Sequence, residues 1–139
     1  MEKTGTESQR ARLQYLAGVL DSIGCVRIES LRKGERATLC LWVTSKHFQL
    51  MEVMQKFGAH IGQKADGQYR AKWKDQKAYS ILKSVKQFLT LRKNQATVGM
   101  EFYEQVKQDP TGDNDQFYRM RLKLLKREEE GGNNDVIRE

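Results

Sequence analysis

The chain has 139 residues, enough for one domain with an ordinary buried core. Its last twelve residues, EEEGGNNDVIRE, hold five acids and one base, leaving 24 bases against 13 acids, a net of +11, on the first 127. So basic a body favours a polyanionic partner, while the lack of a bilayer-length apolar run and the polar start MEKTGTESQRAR argue against a membrane span and a signal peptide, so the expected location is the cytoplasm or an organellar matrix.

In chain order, residues 7–23 put Leu13, Leu16, Leu20 and Ile23 at helical spacing, with Gly24 as a left-handed C-cap. CVRIESL and RATLCLWVTS follow as two strands of a hairpin around RKGE. HFQLMEVMQKFG is a second helix, with Phe48, Met51 and Met54 on one side and Gly58 at its end. HIGQKA and QYRAKWK flank Asp66-Gly67, a strong hairpin signal. QKAYSILKSVKQFL carries the stripe Tyr79, Leu82, Val85 and Leu89 of a third helix, and KNQATVGMEFYEQVK is a fourth. DPTGDND, with the only proline, breaks the chain before a basic fifth helix, QFYRMRLKLLKREEE. Two hairpins interleaved with helices predict an α+β fold: a four-stranded antiparallel sheet with helices on one face and the other face free for a ligand. Cys25 and Cys40 lie in strand-like runs with no CxxC pair or His-rich tract, so both read as reduced thiols and no zinc site is expected.

The stretch LAGVLDSIG, Leu16 to Gly24, resembles the nine-residue motif that names the LAGLIDADG homing endonucleases, matching it at Leu16, Ala17, Gly18, Asp21 and Gly24. The order of elements after it fits that family, as does FLTLRKNQATVGMEF, where a basic residue precedes a Gln-Ala helix. The resemblance covers roughly residues 12–107. It implies the αββαββα fold with a saddle-shaped sheet, extended here by C-terminal helices. A single motif implies a homodimer, whose two motif helices pack about a two-fold axis. Gly18 and Ser22, four residues apart, form a small-xxx-small pair suited to that close approach. The expected organisation is a DNA-binding domain over 1–110, a basic helix packed on or beside it over 111–130, and an acidic flexible tail over 131–139.

The resemblance also points to a missing ligand. The family holds its metal-binding acid at the eighth motif position, which here is Ile23. Asp21, two residues earlier, lies about 200° away around the helix, and a structural hydrogen bond near the helix end is its expected role. Ser45, at the end of the second strand, and Arg92 occupy further family active-site positions. The catalytic candidates are therefore Asp21, Ser45 and Arg92, with Ile23 the degenerate position. No metal ligand is assigned, and Mg2+ is implied only if the chain cleaves DNA.

Strand alternation assigns the free face. Leu39, Leu41 and Val43 belong to the core, as do Tyr69, Ala71 and Trp73. That leaves Thr38, Cys40, Trp42 and Thr44 on the second strand and Gln68, Arg70, Lys72 and Lys74 on the fourth, with Arg27 and Glu29 on the first. Trp42 has a second reading, as core at the sheet edge. In HIGQKA the alternation is ambiguous, and Gln63 joins the face as an expectation. Such side chains suit base readout in the major groove, while Arg32, Lys33 and Arg36 in the first turn suit phosphates. Lys46, Arg92 and Lys93 complete the set. The resulting expectation is a homodimer that binds double-stranded DNA sequence-specifically, with cleavage lost or impaired. Two alternatives stand beside it: an active metal-dependent homing endonuclease, and an RNA-binding protein assisting intron folding through the fifth helix.

Overall fold

The computed structural model describes residues 2–30, 36–108, 112 and 114–138, with the side chains of 2–7, 107 and 130–138 outside that description. The chain begins as a long helix, α1 (Glu2–Ile23), and passes without a linker into a strand, β1 (Gly24–Glu29). The glycine at this junction answers a steric demand. A Cβ on Gly24 would stand 2.6 Å from the Leu20 carbonyl oxygen and 2.7 Å from its Cα, so no larger residue fits. The expected left-handed C-cap is not what forms: Gly24 is the first residue of β1 and has no positive φ. The glycine is needed because the strand starts against the last turn of the helix.

β2 (Thr38–Ser45), α2 (Phe48–Lys56), β3 (His60–Gln63), β4 (Tyr69–Lys74) and α3 (Gln76–Val85) follow, then a 3₁₀ turn (Lys86–Phe88), α4 (Lys93–Gln108) and α5 (Asp115–Arg138). The strands form one antiparallel sheet in the order β1-β2-β4-β3, so the two hairpins join through their second strands. This is the four-stranded α+β arrangement expected from the pattern of elements.

One face of the sheet carries the core. Val26, Ile28, Leu39, Leu41, Val43, Ala71 and Trp73 meet Leu16 and Leu20 of α1, Met51 and Met54 of α2, Leu82 and Val85 of α3, and Ala96, Val98 and Phe102 of α4 in a single cluster. At about 25 cal/mol per Å2 of buried apolar area, this cluster supplies the main drive to fold. Gly99 lets α4 lie against the sheet: a Cβ there would meet Leu39 Cδ1 at 2.9 Å and Val26 Cγ1 at 3.1 Å. The Trp73 indole Nε1 donates to the Phe57 carbonyl at 3.1 Å, which satisfies the one polar atom of the largest core side chain.

α5 is held by specific contacts. Asp115 at its start accepts from Arg36 Nη2 and from the Ala37 amide, both at 3.0 Å. Lys126 Nζ donates to the Val26 carbonyl at 2.6 Å, and Gln95 Nε2 donates to Glu129 at 2.8 Å. The Lys126 bond engages a backbone carbonyl of β1, whose outer side has no neighbouring strand. The helix continues to Arg138, through the segment expected to be an acidic tail, although side chains from 130 onward lie outside the described residues. Among the described residues no helix is long and apolar enough to cross a membrane.

Candidate nucleic-acid interface

Cross-strand register sorts the uncovered face of the sheet into rows. Cys25 of β1, Trp42 of β2, Lys72 of β4 and His60 of β3 form one; Arg27, Cys40 and Lys74 form the next on one side, and Thr44, Arg70 and Gly62 the next on the other. Glu29 opposite Thr38 ends the face towards the first turn. The central strands β2 and β4 thus supply most of the polar side chains, and the apolar partners of those strands point to the core.

Trp42 stands at the middle of this face and is half-buried there, so it is not a core residue at the sheet edge. Three cations surround its ring: the Arg70 guanidinium carbon lies 3.8 Å from the centroid, Arg27 4.7 Å and the Lys72 ammonium 5.1 Å. Glu29 accepts from Arg27 at 3.1 Å. Burial helps no isolated cation, but an indole face attracts a guanidinium through its quadrupole, and this offsets part of the repulsion between like charges. The cluster forms a positively charged ridge with a flat aromatic surface beneath it.

The foot of α1 shows a different kind of surface. Gly18 and Ser22 are exposed, and nothing lies within 4 Å of the place a Gly18 Cβ would occupy. Gly18 therefore accommodates no other element of the chain among the described residues. Tyr15, 52% exposed, and Ile23, 42% exposed, flank the same stretch of helix. Asp21 turns the other way: its Oδ2 accepts from the Thr90 amide at 2.9 Å and its Oδ1 from the Leu91 and Arg92 amides, both at 3.0 Å. These amides precede α4, so the carboxylate complements the positive end of that helix and fixes Arg92 in space. Arg92 is half-buried, its Nε without a hydrogen-bond partner among the described residues, and Lys93 beside it is exposed.

Divalent cations require hard oxygen ligands, and the side chains at the foot of α1 do not fit one. Ile23 offers no oxygen, and both Asp21 oxygens are engaged by backbone amides. A two-fold pair would present the same isoleucine twice. No group of three or more His, Cys, Asp or Glu side chains that could hold a metal ion occurs among the described residues.

Several expected contact residues are placed otherwise. Cys40 lies on the open face but is fully buried, and desolvation raises its thiol pKa; its neighbours Arg27 and Lys74 in the row are larger and longer. Gln63 pairs with Tyr69 and therefore points to the helix side, where its Nε2 donates to the Gly67 carbonyl at 3.3 Å. His60 takes the open-face position in β3 instead. Ser45 likewise shares the Tyr69 side, and its hydroxyl accepts from the His47 amide at 3.1 Å in the turn into α2. Arg36 is bound to Asp115 and so anchors α5 rather than standing free for a phosphate. Arg32 and Lys33 lie outside the described residues, and Lys46 is exposed just beyond β2. A cleft of about 430 Å3 between β1 and α5, lined by Arg27, Glu29, Arg119, Lys123 and Lys126 among others, extends the basic surface past the sheet edge.

No protein-family model matches the sequence, and no curated protein matches it. Solved structures do match. The homing endonuclease I-CvuI, in complex with the I-CreI target in the presence of magnesium with the DNA not cleaved, aligns at a TM-score of 0.73 and 19% identity over 84% of this chain and 82% of its own. The group I intron-encoded homing endonuclease I-CeuI, complexed with DNA, aligns at 0.62 and 14% identity over 76% of this chain and 60% of its own. The LAGLIDADG meganuclease I-AabMI, bound to uncleaved DNA, aligns at 0.60 and 16% identity over 70% of this chain and 38% of its own. The fold is that of the LAGLIDADG homing endonucleases, as the nonapeptide implied.

Proposed function

We propose that this chain, which has the LAGLIDADG homing-endonuclease fold, acts as a homodimer that binds a double-stranded DNA site through its open sheet face and does not cut it. The observation that carries the reading is the open face itself: Arg27, Arg70, Lys72 and Lys74 project from one side of a sheet whose other side is core. A twisted antiparallel ribbon fits the major groove, where Arg and Lys meet guanine acceptors and Thr meets either base edges or methyls. Proteins of this fold that have been crystallised on DNA, I-CvuI and I-CeuI among them, support the choice of ligand.

Open space at Gly18 supports pairing through α1, because a mid-helix glycine exposed to water costs about 1 kcal/mol relative to alanine with nothing in its own chain to offset it. Two such helices crossing at Gly18 and Ser22 would bring their backbones close and set two sheets side by side. Hydrolysis of a phosphodiester by this fold would need metal ligands at the foot of those helices, and the residues there do not fit that task. Arg92 then serves to hold a backbone phosphate by charge and hydrogen bonding.

The test is selection of purified protein on a randomised duplex library, with RNA of equal length as a control, with and without magnesium. A palindromic duplex site, bound with affinity that falls steeply with salt at about −0.9 in log-log slope per phosphate contact, and left intact in magnesium or manganese, is the expected result. Preference for the RNA, or efficient metal-dependent cleavage lost in Asp21→Asn, overturns the reading.

A further inference from the structure

We infer that Trp42 is a specificity-determining positioning residue, holding the Arg70 guanidinium for bidentate readout of one guanine in each half of the site. The inference rests on the DNA-binding reading above and deepens it. The three cations around the indole differ in what their donors are doing. Arg27 has one arm of its fork, Nη2, donating to Glu29 at 3.1 Å and is held in an ion pair. Lys72 is a point charge with rotatable donors and no planar geometry to impose. Arg70 is the one stacked at van der Waals distance, 3.8 Å from the ring centroid, and among the described residues it forms no ion pair.

That combination has a specific consequence. A carboxylate would fix an arginine by occupying the N–H edge that must meet a base. An aromatic ring instead grips the guanidinium by its face and leaves the in-plane donors unspent. Among the described residues the buried Nε of Arg70 has no partner, and neither has the buried Nε1 of Trp42, so the stack is not secured by hydrogen bonds of its own. Free arginine side chains carry about 2 kcal/mol of rotamer entropy, and pinning the plane in advance removes part of that cost from binding. Thr44 lies directly across from Arg70 and Gly62 on its other side has no side chain, so the approach to the fork is open. Guanine is the base whose major-groove edge presents two acceptors, N7 and O6, at the spacing of that fork.

The experiment compares wild type with Trp42→Leu, Trp42→Phe and Arg70→Lys in the randomised duplex selection, with thermal unfolding as the check on folding. Wild type is expected to prefer guanine at one symmetric pair of positions. Trp42→Leu keeps apolar bulk without the aromatic face and should lose that preference by roughly tenfold, keeping the other positions and the salt slope. Trp42→Phe should recover part of it. Arg70→Lys keeps the charge on the ring and can still reach guanine acceptors but lacks the planar fork, and should weaken the same guanine preference even where the leucine variant fails to fold. An unchanged guanine preference in Trp42→Leu, a uniform loss at all positions, or full guanine preference in Arg70→Lys overturns the inference while leaving duplex binding intact. A wild type with no duplex preference overturns both.

Discussion

Two residues of the nonapeptide carry opposite kinds of necessity. Gly24 is required by packing: any side chain there enters the Leu20 backbone, at 2.6 Å from its carbonyl oxygen. Gly24→Ala should therefore destabilise the fold by more than about 3 kcal/mol, placing it in the tail of single-substitution effects, as read by urea denaturation. Asp21 is required by hydrogen bonding, since three backbone amides end on its carboxylate. Asp21→Ala removes this cap from the start of α4 and, with two of the three amides open to water, should cost about 1 kcal/mol. Wild-type stability should be the same in EDTA and in magnesium, because the carboxylate is engaged by protein. A magnesium-dependent rise in the unfolding midpoint would assign it to metal instead. The nonapeptide made both positions visible, and the expectation that Asp21 makes a structural hydrogen bond agrees with its amide partners. The partners themselves were not legible, for they come from residues 69 to 71 positions later in the chain. The same distance hid the Arg36–Asp115 pair, which joins residues 79 apart and turns an expected phosphate contact into an anchor.

Elements were read best where burial is one-sided. β2 and β4 alternate cleanly because Leu39, Leu41, Val43, Ala71 and Trp73 are driven into the core, and a one-residue slip would expose them all. β3 has no such constraint. Ile61 is only partly buried and Gly62 has no side chain, so the local pattern gives no direction and the register comes from pairing with β4. Alternation therefore predicts the wrong face for Gln63 and gives no sign of His60. Cys40 shows a further limit: alternation gives the side of the sheet, while burial depends on what the flanking rows lay over it. On α1 the informative sign is emptiness. Since no other described element of the chain lies near Gly18, Gly18→Leu should leave the monomer folded, with melting within a few degrees of wild type, yet prevent two helices from closing. Sedimentation of the variant as monomer is expected; a normal dimer would exclude Gly18 from the seam.

At the scale of the whole molecule, a single hydrophobic cluster ties β1, β2 and β4, together with α1 to α4 and Leu122 of α5, into one core beneath the basic face, and Lys126 of α5 closes the β1 edge. The order of elements predicts the architecture that forms, and charge points to a polyanionic partner; neither predicts which cations stay unpaired. The direct passage from Ile23 to Gly24 has one more consequence, a metric one. With no linker between α1 and β1, the pairing helix and the DNA-reading strands of the proposed homodimer would belong to one rigid lever. In that homodimer the gap between the two halves of a DNA site would be fixed by the protein, as a ruler fixes a length. One alanine inserted between Ile23 and Gly24 should rotate the lever by about 100° and lengthen it by about 1.5 Å. On a panel of palindromes whose central spacer varies base pair by base pair, wild type should accept one spacing, and the insertion variant should lose that spacing while still gripping an isolated half-site.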